Sequence, residues 1–185
     1  MKHLVVFVVL VLFALGCSAP LQLPADNSAQ KNVLLPFKAS SINFVDQRKD
    51  TLTAEMHLPI FATRRREWTI YPGVNPDQKK EIIDMINNAS NPDGIGANVT
   101  LFIEEGYYRI DGDALEVGEH ARFDCSLRFD VLEVGNIEVS SSAFYDYVGV
   151  FNATEKHVKD VYRITLKNSV FRALKRSEKM FDELN

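Results

Sequence analysis

Phe123-Asp124-Cys125-Ser126-Leu127-Arg128-Phe129 alternates without a break, apolar at odd positions and polar at even ones. Successive side chains of a strand point to opposite faces, so this stretch is a strand with one buried and one solvated face. Cys125 belongs to the buried set, where a free cysteine behaves as a small hydrophobe. The other cysteine, Cys17, is far away in sequence and no histidine motif is close, so a metal or catalytic role is not indicated.

Working outward, the strand runs from Phe123 to Val134, and Gly135-Asn136 is a two-residue turn signal. Residues 137–151 then return antiparallel. There Tyr145 and Tyr147 alternate with Phe144 and Val148, leaving both faces partly apolar. Upstream, residues 97–110 form another long strand, opening with Val99, Leu101 and Ile103 on one face. Tyr108 and Ile110 have the opposite parity, which predicts a bulge near Gly106. An acidic turn at 111–119 joins the two strands.

Two helices complete the body. Asn75 is a fit N-cap, Pro76 suits the first helical position, and Asp77 complements the positive helix end. Ile82, Ile83 and Ile86 make the stripe of this helix, with Met85 at its margin, and the turn chemistry of 87–94 ends it. The last helix runs from about Thr154 to Leu184. Val158, Val161, Tyr162, Leu166, Val170, Ala173 and Leu174 recur at spacings of three and four. Two short strands precede the first helix, at 40–45 and 67–71. The order β-β-α-β-β-β-α predicts an α+β, two-layer sandwich, an antiparallel sheet with both helices on one face.

The beginning of the chain has another character. Met1-Lys2-His3 is followed by an unbroken apolar run from Leu4 to Leu15. A membrane span needs roughly 20 apolar residues, so this run has the length of a secretory core instead. Residues 1–16 are expected to be a signal peptide and 17–39 a lipidated cysteine with a flexible, proline-bearing tether. Residues 40–185 are then a single domain. Ala14-Leu15-Gly16-Cys17 resembles a bacterial lipobox. That resemblance implies cleavage before Cys17, acylation there with palmitate-type chains, and, with Ser18 following, sorting to the outer membrane. The other reading is a plain secretory peptide cleaved near Ala14 or Ala19, with Cys17 incidental.

With Val45-Asp46-Gln47-Arg48 ending the first strand, Ala97-Asn98-Val99-Thr100-Leu101 opening the long strands and Phe151-Asn152-Ala153-Thr154 leading into the last helix, the organisation resembles the YajG-type family of envelope lipoproteins. The resemblance implies a periplasm-facing lipoprotein held by its N-terminal lipid, and it supplies no catalytic residues. The segment 51–75 is longer than the family pattern.

The full chain of 185 residues carries 21 basic and 25 acidic residues, a net charge of −4. That balance argues against a nucleic-acid binder, which needs a basic footprint. Arg64-Arg65-Arg66 with Trp68 and Tyr71 is the one dense basic and aromatic cluster. It is either a contact for anionic head groups or glycan carboxylates, or a solvated loop leading into a strand. Arg48 suits carboxylate or phosphate recognition, or else fixes the strand exit with Asp46. Asp111, Asp113, Glu116 and Glu119 read as an acidic, solvated turn without EF-hand spacing. His57, His120 and His157 are isolated, and no metal, cofactor or catalytic motif is evident. The expected function is a non-catalytic binding or scaffold module whose partner is another envelope protein or a glycan. The alternative, an envelope hydrolase acting on peptidoglycan or lipid, would need two of those histidines to meet carboxylates in a cleft.

Overall fold

The structure is a computed structural model and describes residues 23–29, 33–49, 51, 66–113, 116–132, 134–149 and 154–184. The leader, Cys17, His57, Arg64 and Arg65 lie outside these residues. The elements follow the expected order: β1 (Leu35–Asp46), β2 (Arg66–Ile70), α1 (Pro76–Ala89), β3 (Ser90–Gly112), β4 (Val117–Val131), β5 (Gly135–Gly149) and α2 (Glu155–Leu184). A 3-10 turn at Asn27–Ala29 precedes them. The fold is α+β, a five-stranded sheet with two helices.

The sheet runs β1-β3-β4-β5, with β2 also on β3. It is not wholly antiparallel, because β1 pairs with β3 in parallel. The connection explains this: the chain leaves β1, makes β2 and then crosses over through α1, the length of link that parallel neighbours need. Both early strands lie on the same side of β3, one beyond the other. β1 covers Ser90 to Ile103 and β2 covers Tyr108 to Gly112.

Helix α1 begins as expected at Asn75, and Gln78 closes a capping box with it: the Gln78 amide donates to Asn75 Oδ1 at 2.9 Å and the Asn75 amide to Gln78 Oε1 at 3.0 Å. Ile82, Ile86 and Ala89 face the core. Of the turn expected at 87–94, residues 87–89 are the last residues of α1 and 90–94 the start of β3, which follows the helix directly. Tertiary pairing with β1 overrides the local preference. The turn residues survive as an irregularity: Leu35 pairs with Ser90 but Phe37 with Ile95, leaving Asn91 to Gly94 bulged opposite Pro36. A Cβ at Gly94 would lie 2.5 Å from the Pro36 carbonyl oxygen, so the backbones can approach only at glycine.

The phase shift in β3 is real. The register of β3 with β4 slips between Ile103 and Glu105, which sends Ile103 and then Tyr108 and Ile110 to the same buried face. The β4–β5 turn falls earlier than Gly135-Asn136, at 132–134, with Val131 paired to Gly135. Gly135 has φ +95°, and a left-handed glycine after a three-residue loop matches the twist of the strands.

Both helices cover one face of the sheet, and the alternation of β4 decides which. Phe123, Cys125, Leu127 and Phe129 are fully buried beneath α2, whose expected stripe from Val158 to Leu174 is buried against them. Phe37, Phe129 and Phe181 close one end, with ring centroids 4.8 to 5.9 Å apart. Phe123 and Tyr162 pack 4.5 Å apart towards the other. Each large side chain removed from water in this way contributes about 1.5–3 kcal/mol.

The folded body begins before residue 40. Val33, Leu35 and Phe37 are buried in the core. Ahead of them, residues 25–27 are strapped to α2: Asn168 Nδ2 donates to the Ala25 carbonyl at 2.9 Å, Asn168 Oδ1 accepts from the Asn27 amide at 3.0 Å, and Lys167 meets Asp26 at 2.8 Å. The expected tether over 17–39 is therefore corrected in its later part, because residues 25–27 bond to α2 and Val33, Leu35 and Phe37 carry core side chains.

Candidate functional site

The gap between β1 and β2 along β3 is filled by Asp46-Gln47-Arg48. The Gln47 amide donates to the Ile103 carbonyl at 2.9 Å, extending the ladder by one bond. Arg48 then turns inward, its side chain only 4% exposed. Its Nε donates to Asp46 Oδ1 at 2.7 Å and its Nη2 to Asp46 Oδ2 at 2.5 Å. Its Nη1 donates to the Gly106 carbonyl at 3.1 Å and to Tyr162 Oη at 2.7 Å. Tyr162 in turn donates to the Pro72 carbonyl at 2.6 Å, so one cation joins β1, β3, α2 and the β2–α1 loop. Gly106 sits here because a Cβ would meet the Phe123 ring at 2.5 Å and Arg48 at 2.9 Å.

Electrostatics follow the contacts. Partial burial pushes Asp46 up, but the hydrogen bonds and charge of Arg48 outweigh it and hold the carboxyl below its usual range. Burial disfavours the Arg48 cation, and its bonds to Asp46 more than restore it. Tyr162 is pushed up to about 12, mainly by burial. Arg48 thus spends its donors on the fold, as the strand-exit reading expects.

β2 presents Trp68 opposite Ile110, where it packs against the core, while Tyr71 is 42% exposed beyond the strand end. Arg66 pairs through its backbone with Gly112. The structure therefore separates the aromatic members of the basic cluster: Trp68 is packing, and Tyr71 is on the surface.

The acidic turn divides in the same way. Glu119 is not solvated. It lies on the inner face of β4, 1% exposed, and this corrects its place among the turn carboxylates. Tyr108 Oη donates to it, Tyr145 Oη lies 3.4 Å away, and His157 Nε2, in the first turn of α2, lies 3.0 Å away. Burial first, and then the Glu119 charge, push both tyrosine hydroxyls well above their usual range, so they remain donors. A carboxylate at one sheet end and a histidine at the helix start are far apart in sequence. Only the odd parity of Glu119, shared with Ala121 and Phe123, could have revealed it.

The outer face of the sheet carries a second histidine among the described residues. His120 Nδ1 lies 2.7 Å from Asp146 and its Nε2 lies 3.1 Å from Asp111. Arg109 stands beside it, its Nε buried and without a hydrogen-bond partner among the described residues, its Nη1 3.9 Å from Glu67. Two shallow hollows of about 340 and 320 Å³ share Arg109 and His120. Further along, Arg122 pairs with Asp124 at 2.7 Å and Arg128 with Glu138 at 2.7 Å. Phe144 and Val148 stand exposed on the same face. His120 and His157 project to opposite faces, so they do not share a cleft.

Cys125 is fully buried, its Sγ 3.1 Å from Ser169 Oγ, and burial pushes its thiol up. Among the described residues no group of three or more histidine, cysteine, aspartate or glutamate side chains is arranged to hold a metal ion. Among them, too, no helix is long and apolar enough to cross a membrane.

No family model matches the sequence, and no curated protein does. Among solved structures, the chain is similar to a minor lipoprotein from Acinetobacter baumannii, with 12% identity, a TM-score of 0.39, and coverage of 79% of this chain and 96% of that one.

Proposed function

We propose that this protein is a lipid-anchored lipoprotein of the bacterial envelope, of YajG-like organisation. On this reading it lies at the periplasmic face of the outer membrane and acts as a non-catalytic binding or scaffold module. The observation that carries the reading is the apolar run from Leu4 to Leu15 followed at once by Gly16-Cys17. A single acyl chain holds a protein only marginally, at about 0.8 kcal/mol per buried CH₂, whereas a triacylated cysteine anchors it durably. The separation of His120 from His157 across the sheet favours binding over the hydrolase alternative. The outer sheet face, with alternating charge and exposed Phe144, is the surface offered to an envelope protein or glycan.

Mass spectrometry of the protein purified from membranes tests the anchor. A chain beginning at acylated Cys17 is expected, with Cys17→Ser moving the protein to the soluble fraction. An unmodified Cys17, or cleavage elsewhere, refutes it.

A further inference from the structure

We infer that the outer sheet face binds a neutral amino-sugar chain, its rings lying on Tyr107 and Phe144 and an acetamido carbonyl accepting from Arg109. The inference deepens the reading of this face as a binding surface and rests on it. Register, charge and an uncommitted cation carry it.

The register sets out the side chains. Arg109, His120 and Asp146 stand opposite one another across β3, β4 and β5, and Tyr107, Arg122 and Phe144 form the next row. Neighbouring strands are about 4.8 Å apart, so Tyr107 and Phe144 are about 10 Å apart with Arg122 between them, the span of a disaccharide. Phe144 is 68% exposed and Tyr107 half-buried. The two hollows, of about 340 and 320 Å³, meet at Arg109 and His120. Both fall at the lower end of the size range of small-molecule clefts. Gly118 lies beneath the first. A Cβ there would collide with the Asp111 carboxylate and the His120 ring, so bare backbone is what lets those two side chains lie down on the sheet and meet.

Charge decides the class of ligand. Among the described residues, Glu67, Glu105, Asp111, Asp124 and Asp146 surround Arg109, Arg122 and His120, at 2.7 to 3.9 Å. Carboxylates outnumber cations, so an acidic glycan or a phosphate finds no positive excess here. A protein surface would strip water from these paired groups and return few bonds. Sugar hydroxyls both donate and accept, so they replace that water group for group, while the C–H face of a ring packs on an exposed aromatic.

Arg109 identifies the acceptor. Its side chain is 36% exposed, its Nε is buried without a partner, and its closest carboxylate among the described residues is Glu67 at 3.9 Å, beyond hydrogen-bond distance. Buried polar groups are ordinarily satisfied, so a guanidinium with uncommitted donors where two hollows meet calls for an oxygen from outside. A ligand carboxylate would face the surrounding acids. An amide carbonyl is a strong acceptor without charge, which selects an acetamido group over a plain hydroxyl.

The test uses the full-length protein extracted from cells in mild detergent, so it does not depend on the state of Cys17. Calorimetric titration with the linear tetramer of N-acetylglucosamine is expected to show saturable binding. The glucose tetramer, which lacks the acetamido group, should bind about tenfold more weakly, and the galacturonate tetramer more weakly still. Arg109→Gln and Phe144→Ala should each weaken the acetamido tetramer about tenfold. Phe144 is exposed, so its variant keeps the core intact. Arg128→Ala, on the same face but paired with Glu138 away from both hollows, should change nothing. Absence of binding by the acetamido tetramer, equal or tighter binding of either other tetramer, or an equal loss for Arg128→Ala overturns the inference. If the sugar fails while Phe144→Ala loses a crosslinked envelope protein, the face remains a binding surface and the sugar alone is refuted.

Discussion

Arg48 makes the end of a strand into a joint, and the cost of losing it follows from what it leaves behind. Arg48→Ala strands a partly buried Asp46 and leaves the Gly106 carbonyl without its donor. Removing one member of a buried pair costs about 3–5 kcal/mol, and the one-third exposure of Asp46 reduces this to about 2–3 kcal/mol. Urea unfolding measures it. The pH dependence has a definite sign. The Asp46 carboxyl is depressed below its ordinary 3.8 in the folded state, so its contribution is present above that value and is lost as pH falls through the folded one. The gap between the native chain and the variant should be constant from about pH 7 to 5 and close below about 4. Glu119 makes a sharper case. Glu119→Ala removes the acceptor of Tyr108 and the partner of His157 inside the core, with an expected loss of about 3 kcal/mol. Glu119→Gln keeps the shape and one acceptor, and should recover more than half of that loss in thermal unfolding. Equal losses for the two would mean that the cluster is packing and not a hydrogen-bonded network.

At the scale of elements, β5 is an edge strand among the described residues, fifteen residues long, and an edge strand invites pairing with another chain. Arg172 and Arg176 of α2 reach over it and donate to the carbonyls of Ser142 and Ser140, at 2.8 and 2.7 Å. Replacing both arginines by alanine should cost little in stability and raise aggregation, seen as faster growth of light scattering on mild heating; unchanged scattering would mean that the exposed half of the strand is protected by its twist alone. Which elements could be read beforehand follows from where their information resides. The alternation of β4, the bulge in β3, the Asn75 cap and the stripe of α2 are local, and all four were legible. The parallel pairing of β1 depends on a crossover, and the opening of β3 around Asn91-Pro92-Asp93-Gly94 depends on a neighbour strand that pairs with Ser90 before these residues and with Ile95 after them, leaving the turn residues as a bulge. Of the site, Arg48 was legible beside Asp46, while Glu119 with His157 was not, because their meeting is set by the docking of α2 on the sheet.

For the molecule as a whole, the point where the folded body starts can be found by shortening the chain. If residues 17–39 were a free spacer, a chain starting at Ser40 would fold as well as the native one. The core says otherwise. Such a chain lacks Val33, Leu35 and Phe37, each buried to within a few per cent. At about 2 kcal/mol for each side chain, the loss is about 6 kcal/mol, comparable with the whole stability of an ordinary domain. It also takes away half of β1, so that Ile95 to Ala97 of β3 lose their paired neighbours. A chain starting at Leu23 keeps the strap, the three buried side chains and the complete strand. The expected outcome in chemical unfolding is a cooperative transition for the chain from Leu23 and none for the chain from Ser40. Adding Lys167→Ala and Asn168→Ala to the longer chain separates the strap from the strand: it should lose about 1–3 kcal/mol, the worth of a few part-buried hydrogen bonds, and still unfold cooperatively. A cooperative transition for the chain from Ser40 would restore a spacer over residues 17–39.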